Sequence, residues 1–149
     1  MVNISTFSLQ VIKEKGGRYD LDTNKMNSPK ISTKAFNEVF NLKNRAEEVL
    51  VMMTLDTKLK ITGMFLISMG SLDSAVVHPR EIYKRALLQN ASSIIIAHNH
   101  PSGNPEPSKQ DVNMTIRIQE AGKIMGIELL DHIIIADNKF LSFKEKELI

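Results

Sequence analysis

The sequence of 149 residues contains no cysteine, and this absence excludes disulfide bonds and thiolate metal sites. It has no apolar run near the roughly 18 residues that a membrane-spanning helix needs. Its first residues also lack the apolar core of a secretion signal. The net charge of +2 is small and the lysines are scattered, which gives no support for a nucleic-acid-binding surface. We therefore expect a cytoplasmic protein that is a single domain of ordinary size without membrane contact.

Short apolar segments that alternate with helical segments predict a mixed α/β domain with one central sheet. Gly70 and Asp73 should end the predicted hairpin, and Gly126 should end the third helix. The chain shows neither an internal repeat nor an interdomain linker, so residues 1–149 are expected to form one domain. In chain order, the predicted elements are a strand at residues 7–14, a helix that opens at Ser28-Pro29, a hairpin of strands at 49–56 and 61–69, a helix from His78-Pro79 to about residue 90, a strand at 93–97, a helix at 108–125, and strands at 127–136 and 140–143.

The motif that most constrains function is His98-Asn99-His100-Pro101, with Asp111 in the helix that follows. Two histidines two residues apart at the end of a strand point the same way, because strand side chains alternate with a period of two. Two imidazole nitrogens, one carboxylate oxygen and an open fourth position are typical of a catalytic zinc site. Other divalent ions stay open. A non-haem iron triad fits less well, because its close pair is more often a histidine with an acid. We predict one zinc ion per chain.

Two further roles are needed for chemistry at such a site. The Ser-x-x-Asp pattern is a variant of the capping box, and it predicts that Ser108 is the N-cap of the third helix. Its hydroxyl could also stabilise an oxyanion on a carbonyl substrate, and the two roles are compatible. A carboxylate that is not a ligand must accept a proton from water. Spacing alone does not select this base among four glutamates: Glu47, Glu48, Glu81 and Glu106.

The two remaining histidines are more simply structural. His78 precedes the second helix, which favours a surface or capping role. His132 lies in an apolar strand next to Asp131, which predicts a buried, hydrogen-bonded imidazole. The letters of residues 98–100 also spell the name of the HNH nucleases. That name describes residues dispersed over a larger unit, so we do not follow that interpretation.

The segment from Ala97 to Asp111 resembles the JAMM (MPN+) metalloprotease signature, His-x-His-Pro, seven residues and Ser-x-x-Asp. It resembles the JAB domain of the RadC family more closely still, because residues 78–82, 90–94 and 126–133 are similar to that family in order and spacing. The similarity extends from about residue 45 to residue 136. It implies a cytidine-deaminase-like, three-layer α/β/α sandwich with a core at residues 45–143 and a divergent strand and helix at residues 1–44.

The resemblance also implies roles for particular residues. Zinc would be bound by His98, His100 and Asp111, and an upstream glutamate at the start of a core strand would polarise the attacking water. Glu48 matches that position and Glu47 is the fallback. Full-length RadC proteins resemble a helix-hairpin-helix unit fused ahead of the JAB domain. Residues 1–44 lack that pattern, so we expect no DNA-binding role from such a unit.

Three functions are therefore open. The leading hypothesis is a zinc metallohydrolase that cleaves a peptide or isopeptide bond, with a peptide or a protein conjugate as its substrate. The second is a non-catalytic interaction module that uses the metal only for stability. The third is a factor associated with DNA repair, which depends on the RadC resemblance and not on any basic patch. The sequence leaves the oligomeric state open.

Overall fold

The computed structural model describes residues 1–70 and 77–149, and its first regular element begins at Pro29. The predicted strand at residues 7–14 is wrong, because this segment has no regular structure. Phe7 and Leu9 stay 92% and 82% exposed, so these apolar side chains pack against no partner in the described part of the chain. A strand without a neighbour has no stabilising ladder. The predicted break at Asp73 lies outside the described residues.

The other predicted elements are confirmed with small shifts at their ends. The structure also contains a short 3₁₀ turn at Leu42–Asn44 that the sequence did not indicate. In chain order the elements are α1 (Pro29–Phe40), β1 (Val49–Leu55), β2 (Ile61–Met69), α2 (Pro79–Leu88), β3 (Ser93–Asn99), α3 (Lys109–Met125), β4 (Glu128–Ala136) and β5 (Lys139–Ser142).

The five strands form one mixed sheet in the order β2-β1-β3-β4-β5. Strands β3 and β4 pair in parallel and the other neighbours pair antiparallel. Helix α3 makes the crossover that a parallel pair requires. The prediction of a mixed α/β domain with a central sheet is confirmed. The crossover also places the start of α3 next to the end of β3, where the histidine motif lies.

Side chains of the central strands alternate between two apolar cores, one on each face of the sheet. Leu50 and Met52 of β1 pack in the core that contains α2 and α3, whereas Val49 and Val51 pack in the core that contains α1. Strand β3 is buried along its whole length, as its run of isoleucines predicts. Its even-numbered residues therefore face α2 and α3, and its odd-numbered residues face α1.

The helix ends follow from local chemistry. Ser28 caps α1 by accepting a hydrogen bond from the backbone N–H of Ile31, and Pro29 occupies the first helical position. Gly126 ends α3 in the left-handed conformation at φ 68°. Helix α3 is the longest described helix at 17 residues. Within residues 1–70 and 77–149, no helix has both the length and the apolar character needed to cross a membrane.

Candidate metal centre

Two imidazole rings meet at the carboxyl end of β3. His98 lies on the α2 and α3 side of the strand and is fully buried, and His100 follows directly after the strand and is partly buried. Their Nε2 atoms are 2.9 Å apart. The period-two alternation of the strand thus brings both rings to one point, as the sequence predicted.

Asp111 reaches the same point from the first turn of α3. The backbone N–H of Ser108 donates to its Oδ2 at 2.7 Å, and its own N–H donates to Ser108 Oγ at 3.1 Å. This reciprocal capping box turns the carboxylate back toward the start of the helix. There Oδ1 lies 3.3 Å from His98 Nε2, and Oδ2 lies 3.4 Å from His100 Nε2. The structure therefore brings the three predicted ligands together.

The three groups change one another's proton affinity. The hydrogen bond that a protonated His100 ring donates to the Asp111 carboxylate raises the pKa of His100. Burial acts to raise the pKa of Asp111, but the neighbouring imidazoles of His100 and His98 outweigh this effect and hold that pKa well below its ordinary value. The carboxylate is therefore ionised at neutral pH and favours a positive charge beside it. The cluster is arranged to hold a cation, which is either a proton on His100 or a metal ion.

The donor atoms fit a metal ion. His100 Nδ1 lies 2.8 Å from the carbonyl oxygen of Asn104, and a carbonyl oxygen only accepts, so Nδ1 carries the proton. In the neutral ring the lone pair of Nε2 then faces the other two groups. The second ring nitrogen of a metal-binding histidine is usually anchored in this way. The group of His98, His100 and Asp111 could hold a metal ion, and imidazole with carboxylate suits zinc.

Glu48 is the glutamate that the sheet brings closest to the histidines in register. Leu50 of β1 pairs with His98 of β3. Glu48 comes two residues before Leu50 and His100 two residues after His98, so the same register, continued past the strand ends, sets Glu48 across from His100. Residues opposite each other project from the same face. Glu48 is half-buried, and its negative charge contributes to the raised pKa of His100. Its carboxylate is therefore on the side of the sheet where the candidate ligands lie.

The other glutamates lie elsewhere. Glu47 is exposed and lines a surface groove with Phe40 and Arg45. Glu81 pairs with Lys84 and Arg85 on the surface of α2. Glu106 is exposed in the loop before α3. The geometry thus favours Glu48 over the alternatives that spacing left open.

Ser108 caps α3, as predicted, and it is exposed at the start of the helix. Its N–H and Oγ both bond to the candidate ligand Asp111, so the residue borders the cluster directly. Because Oγ accepts the bond from Asp111 N, the hydroxyl proton can be donated to another oxygen. The cap is therefore observed, and the chemistry of the hydroxyl is compatible with the predicted oxyanion role.

Asn99 is a residue whose role sequence reasoning missed. Its side chain points to the α1 face, where Oδ1 accepts from the backbone N–H of Val49 at 2.7 Å and Nδ2 donates to the carbonyl oxygens of Glu47 at 2.9 Å and Arg45 at 3.3 Å. These bonds hold the backbone on both sides of Glu48. The middle residue of the histidine motif thus fixes the segment that carries the candidate base, while its two neighbours face the other side of the sheet.

Replacement of Asn99 by alanine should destabilise the protein by about 1–3 kcal/mol, because it leaves the buried Val49 N–H without its acceptor. Urea unfolding would measure this loss. Asn44→Ala is the control, because Asn44 is exposed and bonds only to Asn41 among the described side chains, and it should change the free energy of unfolding by less than about 0.5 kcal/mol. Equal stability of Asn99→Ala and the unmodified protein would show that the Asn99 bonds contribute nothing.

His132 and His78 have the structural roles that the sequence indicated. His78 is the N-cap of α2, and its Nδ1 accepts from the backbone N–H of Arg80. His132 is fully buried and hydrogen-bonded, and burial together with nearby His98 holds its pKa well below the ordinary value. Its ring partners are His98 and Thr115, whereas the neighbouring Asp131 bonds to its backbone N–H. The contact with His98 was not predicted.

Comparison with known proteins points to one family. The profile of the RadC-like JAB domain matches residues 26–148. A UPF0758 protein of Clostridium perfringens is 55% identical over 103 residues, which are 69% of this chain and 45% of the relative. The same figures hold for a UPF0758 protein of Clostridium beijerinckii. A UPF0758 protein of Clostridium botulinum is 51% identical over 106 residues, which are 71% of this chain and 46% of the relative. The matched segment spans less than half the length of these relatives.

Proposed function

Because the chain belongs to the family of RadC-like JAB domains, we propose that it is a zinc-dependent hydrolase that cleaves a peptide or isopeptide bond. The observation that carries the proposal is the convergence of His98, His100 and Asp111 from two elements. Three protein ligands leave a coordination position open, as in catalytic zinc sites and unlike closed structural ones. Glu48 on the same side of the sheet supplies a candidate base.

In this proposal zinc is held by Nε2 of His98, Nε2 of His100 and a carboxylate oxygen of Asp111. When bound there, the ion would lower the pKa of water towards about 7 and would polarise the substrate carbonyl. The residues around it hold the ligands in place. The Asn104 carbonyl orients His100, and the backbone N–H of Ser108 holds Asp111 Oδ2.

The remaining residues act on the substrate and on protons. The carboxylate of Glu48 accepts a proton from the attacking water and delivers it to the nitrogen of the leaving amine. The C–O bond forms and the C–N bond breaks, so one water is consumed for each amide. The hydroxyl of Ser108 donates a hydrogen bond to the oxyanion that develops on the carbonyl. The fallback base, Glu47, faces the groove beside Arg45 and would serve only after a rearrangement.

We take residues 1–149 as one domain with its core at residues 45–143, arranged as a three-layer, cytidine-deaminase-like sandwich. The proposed substrate is a peptide or a protein conjugate, and the proposed compartment is the cytoplasm. Neither nucleic acid nor a membrane is a proposed partner. The activity of the longer relatives is a separate matter, because this chain corresponds to less than half of their length.

The test is hydrolysis by the zinc-loaded chain of a set of fluorogenic peptides and of branched peptides with a lysine isopeptide bond. The proposal predicts cleavage of one of these bonds, loss of cleavage after a chelator removes the metal, and recovery when zinc is restored. If the zinc-loaded chain cleaves neither bond type while chelation lowers its thermal stability, the metal-stabilised interaction module replaces the hydrolase.

A further inference from the structure

A buried chain of hydrogen bonds lies behind the metal centre. His132 on β4 places its Nε2 2.7 Å from Nδ1 of His98, and its Nδ1 lies 2.6 Å from Oγ1 of Thr115. Thr115 on α3 lies 2.6 Å from the carbonyl oxygen of Asp111. The ring of Phe143 stacks on His132 with the ring centroids 4.6 Å apart. All of these bonds are shielded from water, because His98, Thr115 and His132 are fully buried.

The direction of each hydrogen bond follows from the one group that can only accept. The Asp111 carbonyl accepts, so Thr115 donates its single hydroxyl proton there. Thr115 Oγ1 must then accept at its other contact, so the proton of His132 is on Nδ1. A buried imidazole whose ring nitrogens contact a hydroxyl and another imidazole is neutral, because an unpaired buried charge is costly.

The neutral ring of His132 therefore presents a lone pair on Nε2 to His98. His98 Nδ1 must carry a proton and donate it to His132. The remaining nitrogen of His98, Nε2, keeps its lone pair and faces His100 and Asp111. The hydrogen bonds that begin at the backbone carbonyl of Asp111 thus determine which ring nitrogens of His132 and His98 carry protons. They leave Nε2 of His98 as the nitrogen that is free to bind the metal.

We infer that His132 and Thr115 are positioning residues for the metal ligand His98, and that they hold it in the tautomer that binds through Nε2. The inference rests on the proposed metal site. Asp111 and His98 are then connected in two ways. Their side chains meet at the cluster, and hydrogen bonds through Thr115 and His132 join the Asp111 backbone to the His98 ring. Residues of this kind affect metal affinity without touching the metal.

The test compares two substitutions of Thr115 that have similar size. Thr115→Val removes the acceptor for the Nδ1 proton of His132, so His132 can carry its proton on Nε2 and turn the lone pair of His98 away from the cluster. We expect zinc affinity, measured by competition with a chromophoric chelator, to fall about 10–100-fold. Thr115→Ser retains the hydroxyl and should keep the affinity within about 2-fold of the unmodified chain. Urea unfolding of all proteins corrects the affinities for any loss of folded protein.

A second readout reports the tautomers directly. Long-range ¹⁵N–¹H spectra of the metal-free chain should show protonated Nδ1 on both His98 and His132, and Thr115→Val should change the pattern of His132. Phe143→Leu is the packing control, because it removes the stacked ring without removing a hydrogen bond, and it should preserve both tautomers.

The outcomes separate the two claims. Equal zinc affinity in Thr115→Val, Thr115→Ser and the unmodified chain, or a proton on Nε2 of His132 in the unmodified chain, overturns the role of the network and leaves the metal site standing. An unmodified chain that binds no zinc overturns the proposed function and this role with it.

Discussion

Replacement of Glu48 by glutamine should lower the rate of amide hydrolysis by about 10²–10⁴-fold, the range typical of removing a general base. Glutamine has nearly the same shape as glutamate, but its amide accepts no proton near neutral pH. Glu48 is not among the three candidate ligands, so zinc affinity should stay within a factor of a few of the unmodified chain. Steady-state rates on the cleaved peptide, together with a zinc titration, would measure both quantities.

Glu47→Gln is the matched control, because it makes the same chemical change one residue earlier. Glu47 is exposed beside Phe40 and Arg45, so the rate should stay within about 2-fold of the unmodified chain if Glu48 alone transfers the proton. A large loss in Glu47→Gln with none in Glu48→Gln would show that the neighbouring residue is the base. No loss in either variant would remove the proton acceptor and favour the interaction module.

The second large effect is expected at the ligands themselves. His98→Ala removes a fully buried ligand nitrogen, and Asp111→Asn removes the negative charge while keeping the shape of the side chain. Each should reduce zinc binding at micromolar metal to a small fraction of one ion per chain, because two protein ligands rarely hold zinc. Equilibrium dialysis followed by metal analysis would measure the bound ion.

His78→Ala is the control for the ligand variants. It also removes an imidazole, but His78 lies at the start of α2, where it caps the helix. Zinc binding should be unchanged, with a loss of stability of about 0.5–2 kcal/mol from the missing cap. Full zinc occupancy in His98→Ala would refute the ligand assignment, and loss of zinc in His78→Ala would indicate that the metal lies elsewhere.

The parts of the site that are close in sequence could be predicted, because they depend on local periodicity. His98 and His100 converge because a strand alternates, and Asp111 returns because Ser108 caps the helix three residues earlier. The helices and most strands could likewise be identified from apolar spacing and capping residues. At residues 7–14 the same kind of pattern was misleading, because alternation predicts a strand only when a neighbouring strand is there to pair with it.

The residues that the sequence did not place depend on contacts between distant segments. Glu48 comes near His100 because β1 and β3 pair in the register that sets Leu50 against His98, and a shift of one residue would move Glu48 to the other face. His132 reaches His98 because β4 lies beside β3 in parallel. The bonds of Asn99 span 50 and 52 residues of the sequence. Spacing within a motif carries no signal for such contacts. The position of Asn99 between two histidines therefore did not indicate its bonds to the segment around Glu48.

We propose that this chain holds a metal ion between His98, His100 and Asp111. The most direct test is elemental analysis of protein purified without an affinity tag, incubated with zinc and freed of loosely bound ions. We expect about one zinc ion per chain in the unmodified protein. Zinc far below one ion per chain, while the protein is folded, would contradict it.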